Sequence, residues 1–373
     1  MRYVAEMRLQ SNFAEFYHKE GVKMERKDED LAFLLKYENV AWFEDGKVRI
    51  LDRRIYPTEI QFVECRTYEE VTKAVHDMVT QSAGPYTAIG MGMALAAWQA
   101  RDLNQKDFWD FMSKAADSLS HARPTTYNRY KQITDGCLES AKKAVKNGEC
   151  PYQSIFEATI ESLNRRYSTM EKVAEYLVDL IPDNGNVLTQ CFGETINGMM
   201  CRVAKRRGKK IHFYHAETRP YLQGARLTSS VSVDMGFEAT VLTDNMIAYA
   251  MKYKKIDLFT SAADTIARDG SIANKIGTFQ IAILADYFGI PYFVTGIPDA
   301  DKIAGKDIVI EERDPKQVLE YRGIKNTLPM VDAIYPSFDI TPPRLISGVV
   351  TDKGVFSPYD LQTYFEKGIT KFY

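Results

Sequence analysis

From Asn186 onward the chain repeats one pattern, a short apolar run followed by a helical stretch. The strand-like runs fall at 187–189, 211–215, 240–243, 258–261 and 292–295; the helical stretches lie at 194–207, 222–235, 246–253 and 274–288. Antiparallel neighbours need only a tight turn, whereas a helix between two strands carries the chain back to start a parallel one. Four such units in succession predict a Rossmann-like parallel sheet with crossover helices. Ligands of such sheets bind outside the carboxyl ends of the strands. The residues that end each run are therefore where chemistry is to be sought.

The first half reads differently. A polar helical segment opens it, followed by strand-like runs at 40–44 and 48–52 on either side of Asp45-Gly46-Lys47, and Asp-Gly between apolar runs is a hairpin signal. A third strand at 61–65 completes a small antiparallel sheet. Thr67-Tyr68-Glu69-Glu70 has the form of a capping box, and helices are predicted at 105–121, 124–147 and 153–181. Gly90-Met91-Gly92 is a fragment of a dinucleotide fingerprint, but it follows no strand and lacks the third glycine, so tight helix packing is the better reading. Pro182-Asp183-Asn184-Gly185 marks the clearest break. Two domains are expected: residues 1–180, antiparallel sheet plus helices, and residues 181–373, Rossmann-like α/β.

Lys and Arg number 48 against 50 Asp and Glu, a net charge of −2, which leaves no basic excess for nucleic acid. The run Lys205-Arg206-Arg207-Gly208-Lys209-Lys210 reads as a solvated helix end. Five cysteines without disulfide-rich spacing suggest reduced thiols. With no apolar signal core and no long apolar span, a cytoplasmic protein without a membrane partner is expected. His212 and His215 stand three apart on a strand and face opposite ways, no Cys/His cluster has ligand spacing, and no metal is expected.

Two strand ends carry reactive groups. Cys191 follows the first α/β strand, where a helix N-terminus can lower a thiol pKa; the plainer reading is a small buried hydrophobe. Cys201 reads as core. Asp264 ends the fourth strand, and a thiol and a carboxylate on adjacent strands would make an acid/base pair; a turn cap is the alternative. Arg123, Arg219, Arg226 and Lys275 stand at predicted helix starts, as a phosphorylated substrate would require.

Several segments together resemble the methylthioribose-1-phosphate isomerases: Ala122-Arg123-Pro124-Thr125, Glu217-Thr218-Arg219-Pro220, Leu222-Gln223-Gly224-Ala225-Arg226-Leu227-Thr228, Thr243-Asp244-Asn245-Met246, Ala273-Asn274-Lys275-Ile276-Gly277-Thr278, Glu311-Glu312-Arg313-Asp314-Pro315 and Phe338-Asp339-Ile340-Thr341-Pro342-Pro343. That family stands beside ribose-1,5-bisphosphate isomerases and the regulatory subunits of initiation factor 2B. The resemblance runs from about residue 35 to 360. It implies an aldose–ketose isomerisation of a pentose 1-phosphate without a cofactor, a homodimer joined through the α/β domain, and Cys191 with Asp264 as the catalytic pair. It implies further that Ser82, Ala83, Gly84, Arg123, Gln223, Asn274 and Lys275 hold phosphate and sugar hydroxyls.

Departures cluster beside that pair. The family's Arg-Gly-Ala-Pro-Ala-Ile-Gly corresponds to the longer Ser82-Ala83-Gly84-Pro85-Tyr86-Thr87-Ala88-Ile89-Gly90, without the arginine; His-Cys-Asn has become Gln190-Cys191-Phe192; Gly-Ala-Asp-Arg has become Ala262-Ala263-Asp264-Thr265. The expected substrate is a 5-substituted ribose 1-phosphate, carrying a methylthio or deoxy group that Phe192 and Tyr86 would suit if they face the pocket. Ribose 1,5-bisphosphate, and a regulatory sugar-phosphate or nucleotide-binding role without turnover, are the alternatives.

Overall fold

The structure is a computed structural model that describes residues 25–123, 126–368 and 370. The polar N-terminal helical segment expected from the sequence, and Pro124-Thr125 of the arginine motif, lie outside the described residues.

Strands β1 (Trp42–Glu44), β2 (Lys47–Leu51) and β3 (Phe62–Cys65) form an antiparallel sheet. Asp45 and Gly46 join the first two with φ of 47° and 72°, the left-handed pair that a tight twisted hairpin demands. Helices α1 (Tyr68–His76), α2 (Gly84–Gln99), α3 (Gln105–Ser120), α4 (Tyr127–Asn147) and α5 (Pro151–Asp179) follow. Thr67 caps α1 by accepting from Glu70 N, while the Glu70 carboxylate reaches past it to Arg66 N. Residues 87–97 of α2 are buried on every face, which places that helix in the middle of the helical layer. A Cβ at Gly90 would lie 2.5 Å from Thr159 Oγ1, so Gly90-Met91-Gly92 does serve close helix packing.

The α/β part begins with β4 (Gly185–Gln190), α6 (Glu194–Arg206), β5 (Ile211–Ala216), α7 (Ser229–Asp234) and β6 (Glu238–Leu242). It continues with α8 (Ile247–Tyr253), β7 (Leu258–Ala262), the short β8 (Thr265–Ile266) and β9 (Ile272–Lys275), α9 (Thr278–Phe288) and β10 (Tyr292–Thr295). After a small hairpin of β11 (Glu320–Tyr321) and β12 (Ile324–Lys325) come β13 (Phe338–Thr341), β14 (Gly348–Thr351) and β15 (Gly354–Phe356). The large sheet has the order β6-β5-β4-β7-β10-β14-β15, parallel except for the β15 edge. The alternation of a pleated strand buries both faces. Val187, Phe213, Leu258 and Val350 pack toward α5 and α6, whereas Leu188, Tyr214, Phe259 and Val349 pack toward α8 and α9. The first of these cores is continuous across residue 180.

Two expectations are corrected. The helix predicted over 222–235 opens as a π-turn, Gly224–Thr228, before α7. The helix predicted over 274–288 begins only at Thr278, because Ile272–Lys275 is a strand paired to β8 on one side and β13 on the other.

Candidate active site

The chain winds outward from β4 in both directions, to β5 and β6 on one side and to β7, β10 and β14 on the other. Such a switch point opens a crevice beyond the carboxyl ends of its two central strands. Gln190 pairs with Ser261 across β4 and β7, so Cys191 and Asp264 leave neighbouring strands at the same edge.

Backbone strain concentrates there. Ser82, Cys191, Thr218 and Leu222 are non-glycine residues with φ of 55°, 39°, 64° and 63°, and Thr218 is β-branched. Each such residue costs on the order of 1–3 kcal/mol and persists only where its surroundings enforce it. Here Asp244 accepts from Thr218 N at 2.9 Å and Arg219 N at 2.7 Å. The buried Gln190 accepts from Thr218 Oγ1 at 3.2 Å and donates to Ile276 O at 3.1 Å. The residue that replaces the family's histidine thus stitches β4 to two neighbouring loops.

Cys191 is half-buried, and Gln223 Nε2 donates to its Sγ at 3.2 Å while the Gln223 carbonyl oxygen is buried with no partner among the described residues. Burial, and then the Asp264 charge, push the thiol up to about 12, against the opposing pull of Lys275 and Gln223. The lowered thiol pKa considered for this position is not what the fold produces. Asp264 opens onto the crevice, but protein crowds it from the sides, and this loss of surrounding water raises its pKa against Lys275, Arg129 and Arg313.

Lys275 ends β9. Only 5% exposed, its ammonium has no hydrogen-bond acceptor among the described residues and sits 4.9 Å from the Phe338 ring and 5.7 Å from that of Tyr335. Burial, reinforced by Arg313, lowers its pKa to about 8. A buried ammonium without a hydrogen-bond acceptor is costly unless an opposite charge meets it.

The remaining sequence-derived residues divide. Arg123 donates to Val75 O at 2.8 Å and Thr80 O at 2.9 Å, and burial together with Arg313 lowers its pKa. Ser82, Ala83 and Gly84 turn into α2, and Ser82 Oγ borders Gly193, two residues past Cys191. Arg53 and Arg166 hold this turn from behind through Gln81 O and Ala83 O. Asn274 is buried and spends its amide on Thr278 Oγ1 at 3.0 Å and Gln190 O at 3.5 Å, a tie between β9 and α9. Arg226 binds the carbonyls of Arg53, Arg54, Tyr56 and Tyr221, and Arg219 those of Pro220, Val318 and Glu320, so both brace loops. The α9 N-terminus is closed as well: Asp339 accepts from Gly277 N at 2.7 Å and Phe279 N at 3.0 Å. Phe192 is 2% exposed and packs in the core, whereas Tyr86 is half-buried.

Sequence reasoning passed over two charges. Arg313 donates to Glu311 at 3.3 Å and acts on Arg123, Asp264 and Lys275 together; its signal was its place in Glu311-Glu312-Arg313. Arg129, in the first turn of α4, reaches the Asp264 carbonyl oxygen at 3.0 Å, and no local pattern marked it. Among the described residues no group of three or more His, Cys, Asp or Glu side chains is placed to hold a metal ion. No described helix is long and apolar enough to cross a membrane.

The chain is similar to known proteins over most of its length. The initiation factor 2 subunit family matches residues 84–358. A methylthioribose-1-phosphate isomerase of Caldanaerobacter subterraneus subsp. tengcongensis is 34% identical over 333 residues, covering 85% of this chain and 95% of that protein. A 5-deoxyribose 1-phosphate isomerase of Clostridium botulinum is 35% identical over 344 residues, covering 86% and 96%. The crystal structure of 5-methylthioribose 1-phosphate isomerase from Pyrococcus horikoshii OT3 superposes with a TM-score of 0.79 at 29% identity, covering 93% of this chain and 100% of that one. On this shared frame the chain belongs to the methylthioribose-1-phosphate isomerases within the initiation factor 2 subunit family.

Proposed function

We propose that the protein isomerises a 5-substituted ribose 1-phosphate, with a methylthio or deoxy group at C5, to the corresponding ribulose 1-phosphate. The observation that carries this reading is that Cys191 and Asp264 leave neighbouring strands at the switch point and lie near enough to the buried Lys275 ammonium for the three charges to act on one another. The names borne by the relatives in Caldanaerobacter and Clostridium favour the same substrate class. A phosphate on the anomeric oxygen blocks spontaneous ring opening, so an acid must protonate the ring oxygen as its bond to C1 breaks. Asp264, whose raised pKa keeps more of it protonated, supplies that proton. C1 becomes electron-poor, hydrogen moves from C2 to C1, and the C2 hydroxyl passes its proton through water back to the Asp264 carboxylate as it becomes the ketone, restoring the acid. A thiol held near 12 is neutral and a poor base, which favours direct transfer of the hydrogen with its electron pair, the Cys191 thiol lying against the reacting carbons.

Lys275 and Arg123 take the phosphate, Gln223 with its unpartnered carbonyl takes a sugar hydroxyl, and the turn at Ser82, Ala83 and Gly84 closes the phosphate end. Asn274 acts by seating Lys275 on β9. The protein works in the cytoplasm as a homodimer that covers the large apolar residues Met246, Tyr249, Tyr253, Ile283 and Tyr287 exposed on and beside α8 and α9; light scattering in solution checks the mass. The deciding experiment is turnover of methylthioribose 1-phosphate, 5-deoxyribose 1-phosphate, ribose 1-phosphate and ribose 1,5-bisphosphate, followed by NMR, for wild type and Cys191→Ala. Ketose formation that collapses in the variant supports the reading. Binding without turnover in wild type overturns it in favour of a regulatory role.

A further inference from the structure

Asp264 stands on a thinly supported piece of chain. It precedes β8, a strand of two residues whose pairing in its sheet is with β9. Its own N donates to Ala273 O at 2.9 Å, which fixes it from the β9 side. The opposite side is fixed from another layer of the molecule. Arg129, at the start of α4 in the helical layer, spans the seam: Nη2 donates to the Asp264 carbonyl oxygen at 3.0 Å and to Asp299 Oδ1 at 2.9 Å. Its Nη1 donates to the Tyr86 hydroxyl at 3.3 Å. Asp299, in the loop after β10, is bound in turn to β8, since its Oδ2 accepts from Ile266 N at 3.0 Å and its N donates to Ile266 O at 2.9 Å. The side chains of the pair are 29% and 19% exposed, sheltered enough for the geometry to matter more than in a screened surface pair.

We propose that Arg129 and Asp299 form a positioning clamp that holds Asp264 in the crevice, so that the acid stands in place only when the helical and α/β layers are seated against each other. The clamp rests on the reading of Asp264 as the acid. Neither residue needs to touch substrate, because both act through the Asp264 backbone and the field beside its carboxyl. Five groups face that carboxyl: Lys275 from β9, Arg313 from the segment before β11, Arg129 from α4, Asp299 after β10 and the Cys191 thiol after β4. The three cations favour its ionised form and Asp299 disfavours it. Removing one partner of the clamp must therefore move Asp264 in the direction opposite to removing the other.

The test reads this directly. Protein labelled with 13C-aspartate is titrated by NMR, with Asp264→Asn providing the assignment, in wild type, Arg129→Gln, Arg129→Lys and Asp299→Asn. Arg129→Gln raises the Asp264 pKa by about half a pH unit or more, Asp299→Asn lowers it by a similar amount, and Arg129→Lys leaves it near wild type. This arm needs no substrate, and Arg129→Lys keeps it decisive if Arg129→Gln fails to fold, because a lysine that displaces the titration by as much as Asp299→Asn does overturns the clamp. With the sugar phosphate that turns over, Arg129→Gln and Asp299→Asn each lose roughly tenfold in kcat while KM stays within about twofold, and Arg129→Lys recovers part of the loss. Shifts of the same sign in Arg129→Gln and Asp299→Asn, or unchanged kcat in both beside an inactive Asp264→Asn, overturn the clamp alone. An active Asp264→Asn overturns the acid reading instead, and the clamp with it.

Discussion

Replacing Lys275 with methionine should make the empty protein more stable and its anion binding weaker. The ammonium is 5% exposed, has no acceptor among the described residues, and lies over two aromatic rings that a thioether would fill as well. Its pKa falls from 10.5 in the open chain to about 8 in the fold, which at ~1.4 kcal/mol per pH unit is a cost of about 3 kcal/mol for carrying the charge into the folded state. The sign follows from linkage: below about pH 8 both states are protonated and the full cost stands, and between about 8 and 10.5 the folded state sheds its proton and the cost disappears. Lys275→Met should therefore exceed wild type by about 2–3 kcal/mol at pH 7 and approach it near pH 10, as urea denaturation at both pH values will report. Inorganic phosphate should raise the wild-type midpoint at pH 7 and raise the variant's less. Equal stabilities at pH 7, or a gap that does not close with rising pH, would refute the claim that this charge is held unpaired.

In deuterated water the ketose product should retain protium at C1, because a thiol held near 12 does not exchange the migrating hydrogen with solvent; extensive deuterium at C1 by NMR would instead make Cys191 a base. Iodoacetamide at pH 8 should label the exposed Cys150 well before Cys191, as peptide mass spectrometry will show, and faster labelling at Cys191 would contradict its neutral state. Burial raises Asp339 from 3.8 to about 6, so its carboxylate costs the fold above about pH 6 and that cost is relieved as pH falls toward 4. Wild type should thus gain stability relative to Asp339→Asn between pH 6 and 4, and parallel pH profiles of the thermal midpoint would exclude this.

The parts of the fold written in local pattern were legible. Asp45-Gly46 gave its hairpin, and the apolar runs of β4, β5, β7 and β10 gave the parallel sheet, because burial on both faces leaves a continuous apolar signature. β14 and β15 went unseen, since Gly348-Val349-Val350-Thr351 is too short to distinguish from a turn without its partner β10. Asn274-Lys275 looked like a helix start, and only pairing with the distant β13 makes it a strand. The placing of Cys191 and Asp264 at neighbouring strand ends was legible because strand ends are local. Arg129 was not: its meaning lies in a carbonyl 135 residues away. The unpaired state of Lys275 is likewise a property of what surrounds it in space.

Asp339 covers the start of α9 with a carboxylate, so two of the main-chain donors there, Gly277 N and Phe279 N, are taken internally. On the proposed reading the positive side of the crevice is carried by Arg123, Lys275 and Arg313, long side chains whose replacement leaves the main chain where it is. Ligand preference in such a frame can drift one codon at a time, without the rebuilding of a loop that a backbone-made phosphate cradle would demand. This gives a physical route by which one backbone comes to serve different ligands.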